Sequence, residues 1–164
     1  MAADGPEAGY DRDEDFGDGW APALGPDCDV RDVVLLRDLT QVTTRKGCDV
    51  VAGTLRDPYT GAVVTGRTRA IDVDHVVPLS LAWRTGAAHW TQDERERFAN
   101  DPANLLAVVA AGPDGNRAKG DDGPERWLPP VEPCGYAVKF AALTVRYELT
   151  VTEARRTAIE SACT

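Results

Sequence analysis

Histidine and methionine are scarce in this 164-residue chain, with two of the first and one of the second, and no Cys-x-x-Cys pair occurs. The usual His-rich zinc arrangements therefore cannot be built, and zinc ribbons are disfavoured. No stretch approaches the length of a membrane span, so no membrane partner is expected. The opening Met1-Ala2-Ala3-Asp4 has neither the basic nor the apolar part of a secretory leader. On that ground the chain is either cytoplasmic or begins after cleavage. Basic charge is also short: 18 Lys and Arg face 27 Asp and Glu, for a net charge of −9. Phosphate binding favours basic surfaces, so the balance weighs against tight, sequence-specific nucleic-acid binding. Much of the acid lies in the first 32 residues, whereas 112–126 sets four acids against three bases.

What is present suits one globular domain. Apolar residues make up 43% and charged residues 27%, both ordinary values, and the length suffices for a sizeable core. Residues 1–9 read as a flexible tail and 10–164 as the domain. Residues 1–27 are rich in Gly, Pro, Asp and Ala and read as tail and loop, with Phe16 and Trp20 tucked onto the body. The acidic run Asp11–Gly19 fails as a calcium loop, because its glycine is misplaced and its twelfth position is Pro22.

Val30–Leu39 has a helical apolar face with Asp29 as N-cap. Its Arg31 and Arg37 read as salt-bridged structural residues. Val50–Leu55 and Gly61–Ile71 read as strands of a hairpin around Asp57-Pro58-Tyr59-Thr60-Gly61. Leu79–Trp83 starts a helix, Thr91 to Glu94 forms a capping signal, and Tyr136–Tyr147 is amphipathic. Thr152-Glu153 caps a last helix to Ala162. Trp83, Trp90 and Phe98 read as core, and His89 as a packing or surface residue.

The chemistry concentrates between Ile71 and Asp122. Asp72, Asp74 and His75 lie in a β-branched strand, with the two carboxylates on one face and His75 on the other. The apolar block Ala103–Val109 reads as a second strand. Asn116-Arg117-Ala118-Lys119 suits a helix start. Neutral histidine is the best-matched base near neutral pH. A carboxylate from Asp74 and an amide oxygen from Asn116 suit a hard divalent cation that keeps several waters. Asn104 can orient His75, and Lys119 and Arg117 can meet phosphate oxygens. Strand, strand, helix in this order is the pattern of a one-metal nuclease site.

Those residues also carry a resemblance. Asp72–Leu79, Ala82–Ala87, Phe98–Asp101, Asn104–Val108 and Asn116–Asp121 resemble the HNH endonucleases of the ββα-metal (His-Me finger) fold. The likeness is to the secreted bacterial and fungal type, which is similar to the nuclease domain of some modification-dependent restriction enzymes. Tyr10-Asp11-Arg12, Pro58–Gly61 and Trp127–Pro130 extend it over nearly the whole chain. The resemblance implies an α+β fold with a ββα core, extra helices and a β-hairpin. It implies His75 as general base, Asn104 as the residue that positions the histidine loop, and Asp74 and Asn116 as metal ligands. The last letter of the family's name is here Asn116, and Ala111–Gly115 looks like an insert ahead of it. The role of Asp72 is supporting.

The expected cofactor is Mg²⁺, with Mn²⁺ or another divalent ion as alternative. The expected substrate is DNA, cut by a monomer with little sequence preference. The alternatives are an RNase or toxin-like nuclease, or a secreted binding module that retains the fold. The four cysteines allow three pairings. The resemblance and their local placement favour Cys28–Cys48 and Cys134–Cys163, each closing a loop worth about 3 kcal/mol in the chain-entropy model. An even cysteine count points to secretion, with four buried thiols as the plainer alternative.

Overall fold

The computed structural model describes residues 3–112 and 115–164. Pro113 and Asp114, inside the insert noted above, lie outside the described residues. The fold is mixed α+β. Its elements run α1 (Arg12–Phe16), α2 (Val30–Asp38), β1 (Thr40–Arg45), β2 (Asp49–Arg56), β3 (Val63–Arg67), β4 (Ile71–His75), α3 (Leu79–Thr85) and α4 (Gln92–Ala99). They continue with β5 (Leu105–Val109), α5 (Asn116–Lys119), α6 (Pro133–Arg146) and α7 (Glu153–Ser161). Strands β1-β2-β3 form one antiparallel sheet and β4-β5 a second.

Local signals place most helix starts. Asp29 and Asp32 form a capping box on α2, and Thr91 and Glu94 form another on α4. Thr152 accepts from the Arg155 N–H at the start of α7. Asp32 also accepts from the Val50 N–H at 2.9 Å, which ties α2 to β2.

Three elements depart from expectation. The acidic segment near the N-terminus contains α1, where the Asp11 carboxylate accepts from the N–H groups of Asp13 and Glu14. Acidic residues in a first helical turn are favourable, and burial of Phe16 anchors the piece. Strand β1 has no counterpart among the expected elements, because it is exposed at nearly every position and shows no alternation. The expected single strand Gly61–Ile71 is broken by a tight turn at Thr68–Ala70. There the buried Thr68 hydroxyl donates to the Val50 carbonyl, and Arg31 donates to the carbonyls of Thr68 and Ile71. The break sends β3 and β4 into different sheets.

The β4-β5 pair is packed on both sides. Ile71, Leu105 and Ala107 join Val30, Val34, Leu35, Val50 and Leu55 in one apolar cluster. Val108 joins Val76, Leu81, Phe98, Tyr136 and Phe140 in the other. Alternation of side chains along β5 divides the two. Both disulfides have the expected pairing, Cys28–Cys48 and Cys134–Cys163, and the second links the start of α6 to the end of α7. Within the segment expected as a tail, the Gly5 N–H donates to the Arg84 carbonyl, and Asp4 accepts from the buried Arg155. No helix among the described residues is long and apolar enough to cross a membrane.

Candidate active site

Strand β4 ends on the two residues that matter most. In the antiparallel register Asp74 lies opposite Leu106 and His75 opposite Leu105. Alternation therefore sends Asp72 and Asp74 to one face and His75 to the other. At the strand's end both Asp74 and His75 line one hollow of about 190 Å³, together with Arg12, Asn116 and Asp121.

His75 is 8% exposed, and its Nε2 lies 2.8 Å from the Ala99 carbonyl oxygen. A carbonyl can only accept, so Nε2 carries the proton and Nδ1 is the bare nitrogen. Burial pushes the imidazole down to about 4 against the pull of that carbonyl, and the charges of Lys119 and Arg12 add to the depression. The ring is thus a neutral, single-tautomer base at pH 7. Trp20 stacks on it, with ring centroids 5.7 Å apart and planes 21° from parallel.

Asn104 is fully buried and acts one step removed. Its Oδ1 accepts from the Val77 N–H at 2.8 Å, its Nδ2 donates to the Val77 carbonyl at 3.2 Å, and its own carbonyl accepts from Val76. It clamps the loop that leaves His75. The partner of the imidazole, expected from Asn104, is instead the backbone of Ala99.

Asp74 accepts from the Tyr59 hydroxyl at 2.6 Å and from Lys119 Nζ at 2.9 and 3.2 Å. Burial raises its pKa, and Lys119 and Tyr59 pull in the opposite direction. Lys119, expected at a phosphate, is enclosed: its side chain is 0% exposed, and Nζ also donates to the His75 carbonyl at 2.8 Å. Arg117 is exposed, with no carboxylate partner among the described residues. Asn116 donates through Nδ2 to Asp72 at 3.1 Å, which leaves its amide Oδ1 for another partner.

One residue emerges to which the sequence assigned no role. Arg12, exposed on α1, lines the hollow with Asp74 and a second, smaller one between Trp20 and His75. It has no carboxylate partner among the described residues. Its place in the Tyr10-Asp11-Arg12 segment was the only signal for it. A larger hollow, about 630 Å³, lies elsewhere, between Trp90, Arg97, Asp101 and Tyr147, and holds neither Asp74 nor His75. His89, the other histidine, is exposed.

Among the described residues no three His, Cys, Asp or Glu side chains converge as a metal cage. A closed, all-protein metal centre is therefore absent from that part of the chain. An open site with few protein ligands is the arrangement that Mg²⁺ uses.

The family model for the C-terminal domain of GmrSD restriction endonucleases matches residues 29–159, which include β4, β5 and α5. The chain belongs to that family. An uncharacterized secreted protein of Arthroderma benhamiae is 42% identical over 159 residues, covering 96% of this chain and 76% of that protein. No solved structure matches. Family membership makes this a nuclease-related domain with a nucleic-acid substrate. The secreted relative and the two disulfides place it outside the cell.

Proposed function

We propose that the protein is a metal-dependent endonuclease of the HNH, ββα-metal type. In this reading it hydrolyses phosphodiester bonds of DNA as a monomer, with little sequence preference. One observation carries the proposal. A buried, neutral histidine with its tautomer set by a backbone carbonyl shares a hollow with a carboxylate, an amide and an arginine that has no carboxylate partner among the described residues. The order β4, β5, α5 and the restriction-endonuclease family support it.

In the proposed reaction His75 Nδ1 takes the proton of the attacking water. The new water oxygen–phosphorus bond forms as the ester oxygen–phosphorus bond breaks, and the leaving oxygen takes a proton from solvent. Arg12 meets the negative charge that builds on the phosphorane. Lys119 positions the site: it pulls the Asp74 carboxyl down against the upward push of burial and holds the His75 carbonyl. Asn104 fixes the loop behind the base, and Asp72 fixes Asn116.

The donors present fit a hard divalent cation. Oδ1 of Asp74 has a single donor, and the side-chain amide oxygen Oδ1 of Asn116 has none among the described hydrogen bonds. These two residues would hold the ion, Mg²⁺ foremost and Mn²⁺ next. When bound it supplies charge stabilisation for the phosphorane and the leaving oxygen.

The test is degradation of plasmid DNA and of RNA by wild type and His75→Ala, with Mg²⁺ or Mn²⁺ and with EDTA. DNA loss that requires metal and disappears in the variant is the expected result. Faster loss of RNA moves the substrate assignment to RNA. No cleavage of either polymer in any metal overturns the enzyme reading in favour of a binding module.

A further inference from the structure

The chain's negative charge is unevenly spread. On the β1-β2-β3 sheet a hollow of about 480 Å³ is lined by Arg31, Arg45, Arg67 and Arg69, with Asp49 as its one carboxylate. Arg67 and Arg69 are exposed and have no carboxylate partner among the described residues. Arg31 is fixed by two backbone carbonyls, at 3.1 and 3.2 Å, which orient its guanidinium without cancelling its charge. Among the described residues only Arg45 is paired, with Asp49 at 3.0 Å. A net positive groove on a protein of charge −9 is an anion-binding surface.

Its dimensions point to a duplex. Arg45 lies opposite Asp49, and Arg67 opposite Ala52, three residues further along β2. Strand geometry puts them two strand spacings apart across the sheet and, past the register shift at Thr43/Thr44, two to three residues apart along it, about 12–14 Å between backbone positions. That separation is close to the ~12 Å width of the B-form major groove, so the arginines can face phosphates on both of its walls. The groove is also tied to the proposed catalytic end. Arg31 holds the Ile71 carbonyl, and β4 runs from Ile71 to His75, about 13 Å on at roughly 3.3 Å per residue.

We propose that this arginine groove binds the backbone of B-form DNA and holds the duplex beside the proposed catalytic end. The proposal rests on the nuclease reading above. It gives an acidic protein a local electrostatic track, and its specificity is for form and charge rather than for bases.

The experiment measures binding, so cleavage does not enter it. Full-length His75→Ala protein is titrated into a short labelled DNA duplex across a salt series and followed by anisotropy. The same is done with Arg67→Gln/Arg69→Gln added, and with Arg126→Gln/Arg156→Gln as a charge-matched control on other surfaces. The groove variant is expected to bind roughly 10- to 100-fold more weakly. Its salt slope should be smaller by about 1.8, at about 0.9 for each phosphate no longer neutralised. The control is expected to keep the parent slope. An unchanged slope in the groove variant, an equal weakening in the control, or equally tight binding of RNA duplex or single-stranded DNA overturns the proposal. Failure of the nuclease reading looks different: duplex binding persists through the groove while wild type leaves plasmid intact.

Discussion

The two sheets of this molecule are built to opposite rules. In the β4-β5 pair the residues are buried or half-buried throughout, apolar clusters lie on both sides, and charged groups are matched inside it. In the β1-β2-β3 sheet, β1 and β3 are exposed at nearly every position and carry arginines toward water. The small pair holds chemistry in place by excluding water, which gives each of its polar interactions more weight. The larger sheet packs through its central strand, where Val50 and Leu55 are buried, while its outer strands have little packing to protect and can carry charge at low cost. Position and reactivity are thus set in one place, and surface charge in another.

The largest effect of substitution is expected inside the β4-β5 pair. His75→Ala should lower turnover by about 10²- to 10⁴-fold, the usual range for loss of a general base, with the far-UV circular dichroism of wild type. A variant that cleaves normally removes the base from the mechanism. Next comes Lys119→Met, which leaves the Asp74 carboxylate buried without its cation. Denaturant unfolding should show a loss of about 3–5 kcal/mol, part of it recovered when Asp74→Asn is added. No loss would mean that Asp74 is not held by this pair.

The pH dependence of the metal-free protein is a third measurement. His75 titrates at about 4 when folded against an ordinary value of 6.5, so the unfolded chain binds the extra proton between those values. The associated stability is complete above about pH 6.5 and falls as pH drops toward 4, by up to about 3 kcal/mol. His75→Gln should flatten that part of the curve, and an unaltered curve would show that the imbalance lies elsewhere. The smallest effect belongs to the outer sheet. Arg45→Gln breaks an exposed pair and should cost under about 0.5 kcal/mol by thermal or chemical unfolding. A cost of several kcal/mol would erase the difference between the two sheets.

The same difference explains what could be read from the chain. Asp29, Thr91 and Thr152 announce their helices because a cap acts over three residues. The second strand, read as Ala103–Val109 and found as Leu105–Val109, stood out because burial on both faces leaves a continuous apolar run. The exposed Thr40-Gln41-Val42-Thr43-Thr44-Arg45 leaves no such trace. The break at Thr68 depends on Val50 and Arg31, both remote in sequence. At the candidate site, residue identities were legible and pairings were not. The Ala99 carbonyl beside His75 is a backbone group without a side-chain signature. Lys119 looks like a surface cation until Asp74, 45 residues away, is seen to enclose it.

The indole of Trp20 lies face to face with the His75 ring. An indole's emission responds to the charge of a neighbouring imidazole, which quenches it on protonation. The protein therefore carries an optical gauge of its own histidine. The fluorescence difference between wild type and Trp20→Phe, followed against pH, reports when that ring gains its proton, with no substrate, metal or turnover needed.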